Sequence, residues 1–267
     1  AALGAAPQLV YDALLSGVAE AASVAIIATP YEAGRDHAEL ARAVGRSFDG
    51  AREECGLGGL AQGRVWRLGH SLGGKLLTIL ACTESSPGAL GTLAYNNFGV
   101  AESVSFATNF VQQLTGQADG ATAQLITNAL NFAQQFAATQ GVSFDFTPSP
   151  EELDQLIGAR FSATSTSVWR FTDDDLDSSD GLMAALPPLT PCLFAELPGN
   201  HLAPVLLNLS PADIDPRLGM LLGSGERLTL GDAEVVARLA DDIAEWIEPG
   251  CTPGRKSALR FLPPAAL

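Results

Sequence analysis

Gly69-His70-Ser71-Leu72-Gly73 sets one hydroxyl between two glycines, with apolar runs on either side. A serine at the tip of a sharp strand-to-helix turn can act as a nucleophile, because the turn lifts its hydroxyl clear of the sheet. Such a turn holds the serine in strained backbone. The chain there passes so close to itself that a Cβ two residues before or after is expected to clash, which calls for glycine at both Gly69 and Gly73. The same geometry aims the N–H of Leu72, and the positive end of the following helix, at a developing oxyanion. Val65, Trp66 and Leu68 read as the short buried strand before the turn, and Lys75 to Ala81 as the apolar helix after it. A glycine-rich turn with a solvated serine is the plainer alternative.

A serine nucleophile needs a base to take its proton and an acid to orient that base. In strand-turn-helix nucleophile folds the acid and then the histidine follow later strands. The chain has three histidines. His70 belongs to the turn itself and is expected to point away from the hydroxyl, and His37 sits in an earlier helix. His201 remains, on a turn after the last clear strand, where a general base belongs. Three aspartates follow the strand Val168 to Phe171. Asp174 is the first choice for the acid, Asp175 the second and Asp173 the third. Three adjacent carboxylates could also hold a divalent cation or form a solvated turn. No second cluster with ligand spacing accompanies them, so no metal and no cofactor is expected. The expected oxyanion donors are Leu72 N–H and one further N–H from Ala1 or Ala2, with Ala2 preferred.

The intervening residues divide into strands and helices that place these groups. Gln8 to Ala21 reads as a helix with Pro7 near its start. Ala22 to Ala28, apolar and partly β-branched, reads as a buried strand. Asp36 caps an amphipathic helix through Phe48. Ala89 to Tyr95 is the next strand. Ser149, Pro150 and an acidic first turn open a helix through Ile157. Thr166 to Phe171 and Pro191 to Leu197 are strands, and Asp232 caps a last helix bearing Val236, Leu239, Ile243 and Trp246. Alternation of strand and helix implies parallel pairing with helices on both faces.

Residues 103–143 carry a single charge, Asp119, with Phe106, Phe110, Val111 and Leu114 at helical spacing and Leu125, Ile126, Leu130, Phe132 and Phe136 near it. They read either as a lid receiving an apolar substrate or as a helical cap that completes the core. The expected organisation is a first part of the core over 1–102, a helical insertion over 103–160, the rest of the core over 161–248 and a loose tail over 249–267.

With 267 residues, 47% of them hydrophobic, the chain can bury a full core. A net charge of −15 repels phosphate backbones, which argues against nucleic acid as a partner. The four cysteines, Cys55, Cys82, Cys192 and Cys251, lack metal or redox spacing and read as reduced thiols. The apolar stretch Leu9 to Pro30 carries Asp12 and Glu20, so no membrane span is expected. Nothing in the residue pattern points to an oligomeric state. The chain opens on alanine and is expected to be clipped.

Gly4-Ala-Ala-Pro-Gln-Leu9, Ile27-Ala-Thr-Pro-Tyr31, Asp36-His37, Gly69-His-Ser-Leu-Gly73, Tyr95-Asn-Asn-Phe98, Phe146-Thr-Pro-Ser-Pro-Glu151, Phe171-Thr-Asp-Asp174 and Gly199-Asn-His-Leu202 occur in this order. Over residues 1 to 205 the chain resembles a family of cyanobacteria and photosynthetic eukaryotes catalogued as domain of unknown function 1350. That family looks like a branch of the α/β-hydrolases. The resemblance implies an α/β-hydrolase fold, with Ser71, Asp174 and His201 at the matching triad positions and a chloroplast or cyanobacterial setting. Members usually begin with a further strand and a glycine-rich loop, the loop that would supply the second oxyanion donor. Two functions are consistent with this reading. One is a serine hydrolase of a carboxylic ester or thioester, small-molecule and lipid-like if the neutral segment is a lid. The other is a non-catalytic binding or assembly factor built on the same fold.

Overall fold

The computed structural model describes residues 2–32, 34–84, 88–99, 146–209, 228–248 and 260–261. In chain order these form α1 (Pro7–Val10), α2 (Asp12–Ala22), α3 (His37–Glu54), β1 (Trp66–His70), α4 (Leu72–Thr83) and β2 (Ala89–Leu93). Next come α5 (Pro150–Arg160), β3 (Thr166–Phe171), α6 (Ser179–Ala185), β4 (Cys192–Leu197), β5 (Leu207–Leu209), β6 (Leu228–Leu230), α7 (Ala233–Ile247) and β7 (Arg260–Phe261). Short 3₁₀ turns cover Ala2–Ala5 and Gln62–Arg64. The nearly uncharged segment 103–143 lies outside the described residues.

The main sheet has the order β1-β2-β3-β4-β7. Its first four strands pair in parallel and β7 adds antiparallel to β4, while β5 and β6 form a separate ribbon. Because successive side chains alternate faces, each strand feeds two cores. Trp169 and Phe171 of β3, with Leu193, Ala195 and Leu197 of β4, pack against Leu14 and Val18 of α2 and Leu239, Ile243 and Trp246 of α7. Val168 and Cys192 face the other way, onto Val44 of α3, Leu76 and Ile79 of α4, Leu153 and Ile157 of α5 and Leu182 of α6. The sheet is therefore covered on both faces, as a parallel sheet requires. Trp169 is fully buried and meets Trp246 edge-on at 5.6 Å, a favoured aromatic geometry.

Local signals explain the helix starts. Asp36 accepts from Glu39 N–H at 2.8 Å, and Ser149 and Glu152 form a reciprocal capping box at the start of α5. Three expectations change. The first helix breaks at Tyr11 into α1 and α2. Arg260 and Phe261, within the tail expected to be loose, pair with β4. The strand expected over Ala22 to Ala28 does not form. Ser23 ends α2 in the left-handed region at φ 54°, and residues 24–30 run on without strand pairing. A strand exists only with a hydrogen-bonded neighbour, and none of the described residues pairs there.

Asp232 accepts from Glu234 and Val235 N–H and so starts the helix that covers one face of the sheet. Asp232→Ala is expected to cost about 1 kcal/mol in urea unfolding, with the slope of the transition unchanged.

Candidate active site

The chain leaves β1 at His70 and enters α4 at Leu72, so Ser71 alone makes the turn. It sits at φ 55°, ψ −123°, a conformation that L-residues adopt at a cost of about 1–3 kcal/mol. Hydrogen bonds hold it there. Ser71 N–H donates to Leu93 O at the end of β2 (2.9 Å), and Ser71 O accepts from Gly74 N–H at 3.0 Å. A Cβ on Gly69 would lie 2.5 Å from the Gly73 carbonyl carbon and 2.6 Å from Gly74 N, inside backbone that cannot move aside. The expected need for glycine at position 73 does not hold. A Cβ there would meet only Tyr31 Oη, at 3.7 Å, an ordinary contact. The close pass is one-sided, because β1 runs onto the first turn of α4 while residue 73 faces outward from that contact.

Two loops bring the partners to this hydroxyl. The parallel ladder of β3 and β4 continues past the strand ends, where Asp173 N–H donates to Gly199 O at 2.9 Å. That bond ties the loop after β3 to the loop after β4. Gly199 takes φ 129°, which is open to glycine, and the Asn200 side chain accepts from Leu202 N–H at 2.9 Å to close the turn that presents His201. His201 Nε2 lies 2.8 Å from Ser71 Oγ, and His201 Nδ1 lies 2.9 Å from Asp174 Oδ2. The other Asp174 oxygen accepts from Leu176 N–H at 3.0 Å. The Asp174 carboxylate is fully buried and the imidazole almost so, whereas Asp173 and Asp175 are exposed. Thus Ser71, His201 and Asp174 come together, and the other two aspartates do not join them.

The electrostatics order the protons. An ionised Asp174 only accepts, so Nδ1 of His201 carries a hydrogen and Nε2 is left to accept from the serine hydroxyl. This hydroxyl-imidazole-carboxylate chain can pass a proton off the serine as it attacks an electrophile. Leu72 is the first residue of α4, where the N–H groups of a helix have no carbonyl partner within the helix. Ala2 lies in the 3₁₀ turn that Tyr31 N–H fastens through Gly4 O at 3.0 Å.

The residue pattern did not expose the role of His70. Its Nε2–H donates to the backbone carbonyl of His201 at 2.7 Å, and Tyr11 Oη–H donates to its Nδ1 at 2.7 Å. The first variable residue of the turn therefore anchors the loop that carries His201. Burial, with His201 close by, lowers the His70 pKa to about 3, so the ring is held neutral with one donor and one acceptor used. His37 is likewise buried, stacked on Phe146 at 4.2 Å, and burial with the nearby Lys75 lowers its pKa to about 4. Asp177 was also missed. It accepts from Ser179 N–H and Oγ–H at 2.8 and 2.9 Å, and burial raises its pKa to about 6. Its hydrogen bonds make it a bracket for the start of α6.

A doubly covered parallel sheet, a positive-φ serine between strand and helix, and an acid and a histidine on the next loops define an α/β-hydrolase fold. The chain belongs to the family described as protein of unknown function (DUF1350), whose model matches residues 1–249. Among solved structures it is similar to an esterase domain from Rhodothermus marinus, at 12% identity and a TM-score of 0.46, with 88% of this chain and 78% of that chain covered. It is also similar to a peroxisomal α/β-hydrolase of Saccharomyces cerevisiae, at 12% identity and a TM-score of 0.46, over 83% of this chain and 64% of that one. An extracellular α/β-hydrolase of a Paenibacillus species is similar at 13% identity and a TM-score of 0.40, over 73% and 88% of the two chains. No curated protein matches the chain in sequence.

Two outcomes follow. Gly69→Ala is expected to lose at least about 2 kcal/mol of stability, because backbone must shift to admit the methyl, whereas Gly73→Ala should stay within about 0.5 kcal/mol of the parent in thermal melts. The second concerns acid. His70 and His37 have folded-state pKa values below their ordinary 6.5, so the unfolded chain binds protons first as pH falls. Their contribution is complete above about pH 6.5 and is lost toward pH 4, at up to about 1.4 kcal/mol per pH unit for each ring. Asp177, raised from 3.8 to about 6, acts with the opposite sign over that range and offsets one ring. Melting temperature should therefore fall between pH 7 and pH 4.5, and His70→Gln should flatten that fall.

Proposed function

We propose that this protein is a serine hydrolase that cleaves a carboxylic ester or thioester through an acyl-enzyme. The observation that carries the reading is the unbroken relay Ser71–His201–Asp174, with steps of 2.8 and 2.9 Å. Both steps are already at hydrogen-bond length, so no rearrangement is needed before the hydroxyl can be deprotonated. A binding module has no use for a base and a buried acid at these two positions.

Ser71 Oγ attacks the acyl carbonyl while His201 Nε2 takes its proton. Asp174 holds the imidazole in the required tautomer and stabilises the imidazolium. The negative charge gathering on the carbonyl oxygen is met by Leu72 N–H at the start of α4, with Ala2 N–H assigned as the second donor. His201 then gives the proton to the leaving alcohol or thiol, and an ester of Ser71 remains. Water, deprotonated by His201, attacks that ester and frees the acid and the serine. No metal or cofactor enters any step. The neutral, phenylalanine-rich segment 103–143 supports a lipid-like acyl group as substrate. The motif order of the family supports a chloroplast or cyanobacterial setting. Among the described residues no helix is long and apolar enough to cross a membrane.

A fluorophosphonate probe should label the folded protein at Ser71, and Ser71→Ala should abolish labelling. Asp174→Asn should slow it about 1,000- to 10,000-fold while Asp175→Asn leaves it unchanged. Labelling that is absent from the folded protein, or that survives Ser71→Ala, contradicts the proposal.

A further inference from the structure

The break between α1 and α2 falls at Tyr11, which ends one helix and begins the next. Its backbone sits at φ −109°, ψ 17°, outside the helical well. Its N–H still donates to Pro7 O at 3.0 Å, and its C=O accepts from Leu15 N–H at 2.8 Å. The chain thus changes course without giving up the bonds that end one helix and start the next. Two successive residues at the break reach the loop after β4 by different means. Val10 shares an apolar cluster with Leu202 and Val205. Tyr11 reaches the same loop through His70, which in turn holds the His201 carbonyl.

These contacts fix the orientation of one ring. The loop is held at Gly199 by Asp173 N–H and at Leu202 by the Asn200 side chain. Between those points the His201 carbonyl accepts from His70 Nε2–H at 2.7 Å. That bond needs the His70 ring in one of its two flipped orientations. Half a turn about Cβ–Cγ exchanges Nε2 with Cε1 and Nδ1 with Cδ2, and would set a carbon against the carbonyl. Tyr11 Oη–H, 2.7 Å from Nδ1, tells the two apart, because a flipped ring would offer it a C–H in place of a lone pair. The same bond makes Nδ1 the acceptor, which leaves the ring hydrogen on Nε2, where the carbonyl takes it.

We infer that Tyr11 is a positioning residue for His201: through the orientation of the His70 ring, its hydroxyl fixes the backbone from which the His201 imidazole reaches Ser71 and Asp174. The effect on rate rests on the hydrolase reading, whereas the effect on the His201 ring rests on the hydrogen bonds alone. The role is indirect, exerted through two successive hydrogen bonds. His201 spans 2.8 Å to Ser71 Oγ and 2.9 Å to Asp174 Oδ2, so a displacement of its backbone disturbs both steps together. A shift of about 1 Å in such a relay can cost on the order of 100-fold in rate. A hydroxyl that only filled space beside His70 would leave both the His201 ring and the rate where they are.

The test compares the full chain with Tyr11→Phe, which removes only the hydroxyl, with His70→Phe, which keeps a ring and removes both nitrogens, and with the double variant. Nitrogen-15 NMR of the histidine rings at pH 7 should show His70 of the parent with its hydrogen on Nε2. In Tyr11→Phe the ring nitrogen shifts of His201 should move while those of His37 stay in place. Labelling of Ser71 by the fluorophosphonate probe should slow at least about fivefold in Tyr11→Phe and at least as much in His70→Phe. Because Tyr11 acts through His70, adding Tyr11→Phe to His70→Phe should change the rate less than about twofold. The His201 shifts in Tyr11→Phe decide the matter even where His70→Phe does not fold. A parent that is not labelled contradicts the hydrolase reading and leaves those shifts to decide this inference. His201 shifts that Tyr11→Phe leaves unchanged overturn it. So does a labelled parent whose rate Tyr11→Phe leaves within twofold, or an effect of Tyr11→Phe that persists in full beside His70→Phe.

Discussion

One close approach sets up the whole site. β1 runs so tightly onto the first turn of α4 that only a hydrogen atom fits on Gly69, and Ser71 is left in the left-handed region as the single residue that reverses direction. The strain is held by the Ser71 N–H bond to the end of β2 and by the first turn of α4. Those two restraints come from buried elements of the sheet and of the helix layer. A loop of ordinary length would not fix a hydroxyl so firmly at hydrogen-bond distance from an imidazole. A one-residue turn between a buried strand and a buried helix does.

His201 and Asp174 depend on the same sheet by a different route. β3 and β4 stay in register beyond their last paired residues, so the two loops that follow are joined backbone to backbone at Asp173 and Gly199. The joint gives Asp174 a direction as well as a position. His70 closes the arrangement from the elbow side by holding the carbonyl of His201, with Tyr11 holding His70 in turn. The Ser71 turn and the His201 loop are therefore one hydrogen-bonded unit. Its interior histidine is kept neutral by burial, so in the proposed mechanism no second positive charge competes with the neighbouring imidazole.

Much of this was legible in residue types. Ser71 and its strand-turn-helix setting, the caps at Asp36, Ser149 and Asp232, and the choice of His201 all rest on local rules that tertiary structure did not override. Asp174 could be ranked above its neighbours only by its place in the loop. What separates it from Asp173 and Asp175 is its contact with His201 Nδ1, which joins residues far apart in the chain and is set up by the backbone bond from Asp173 N–H to Gly199 O. The apolar run from Ala22 to Ala28 carries every local mark of a strand, but a strand is a property of a pair, and the partner edge lies across an open cavity. Gly73 shows the converse limit: its spacing from the serine mimics a steric need that the close pass places on Gly69 alone. His70 was visible only as a variable residue of the turn, because its partner is a backbone carbonyl, and carbonyls leave no mark in a sequence.

In the proposed mechanism the relay ends in an acyl-serine. Stopped-flow release of nitrophenolate from a p-nitrophenyl ester, with intact-mass measurement of the quenched protein, tests it most directly. A burst approaching one equivalent per chain is expected, with one acyl group on the peptide that carries Ser71, both absent in His201→Ala. Steady release with no burst and no acylated Ser71, or a burst that His201→Ala leaves in place, would contradict it.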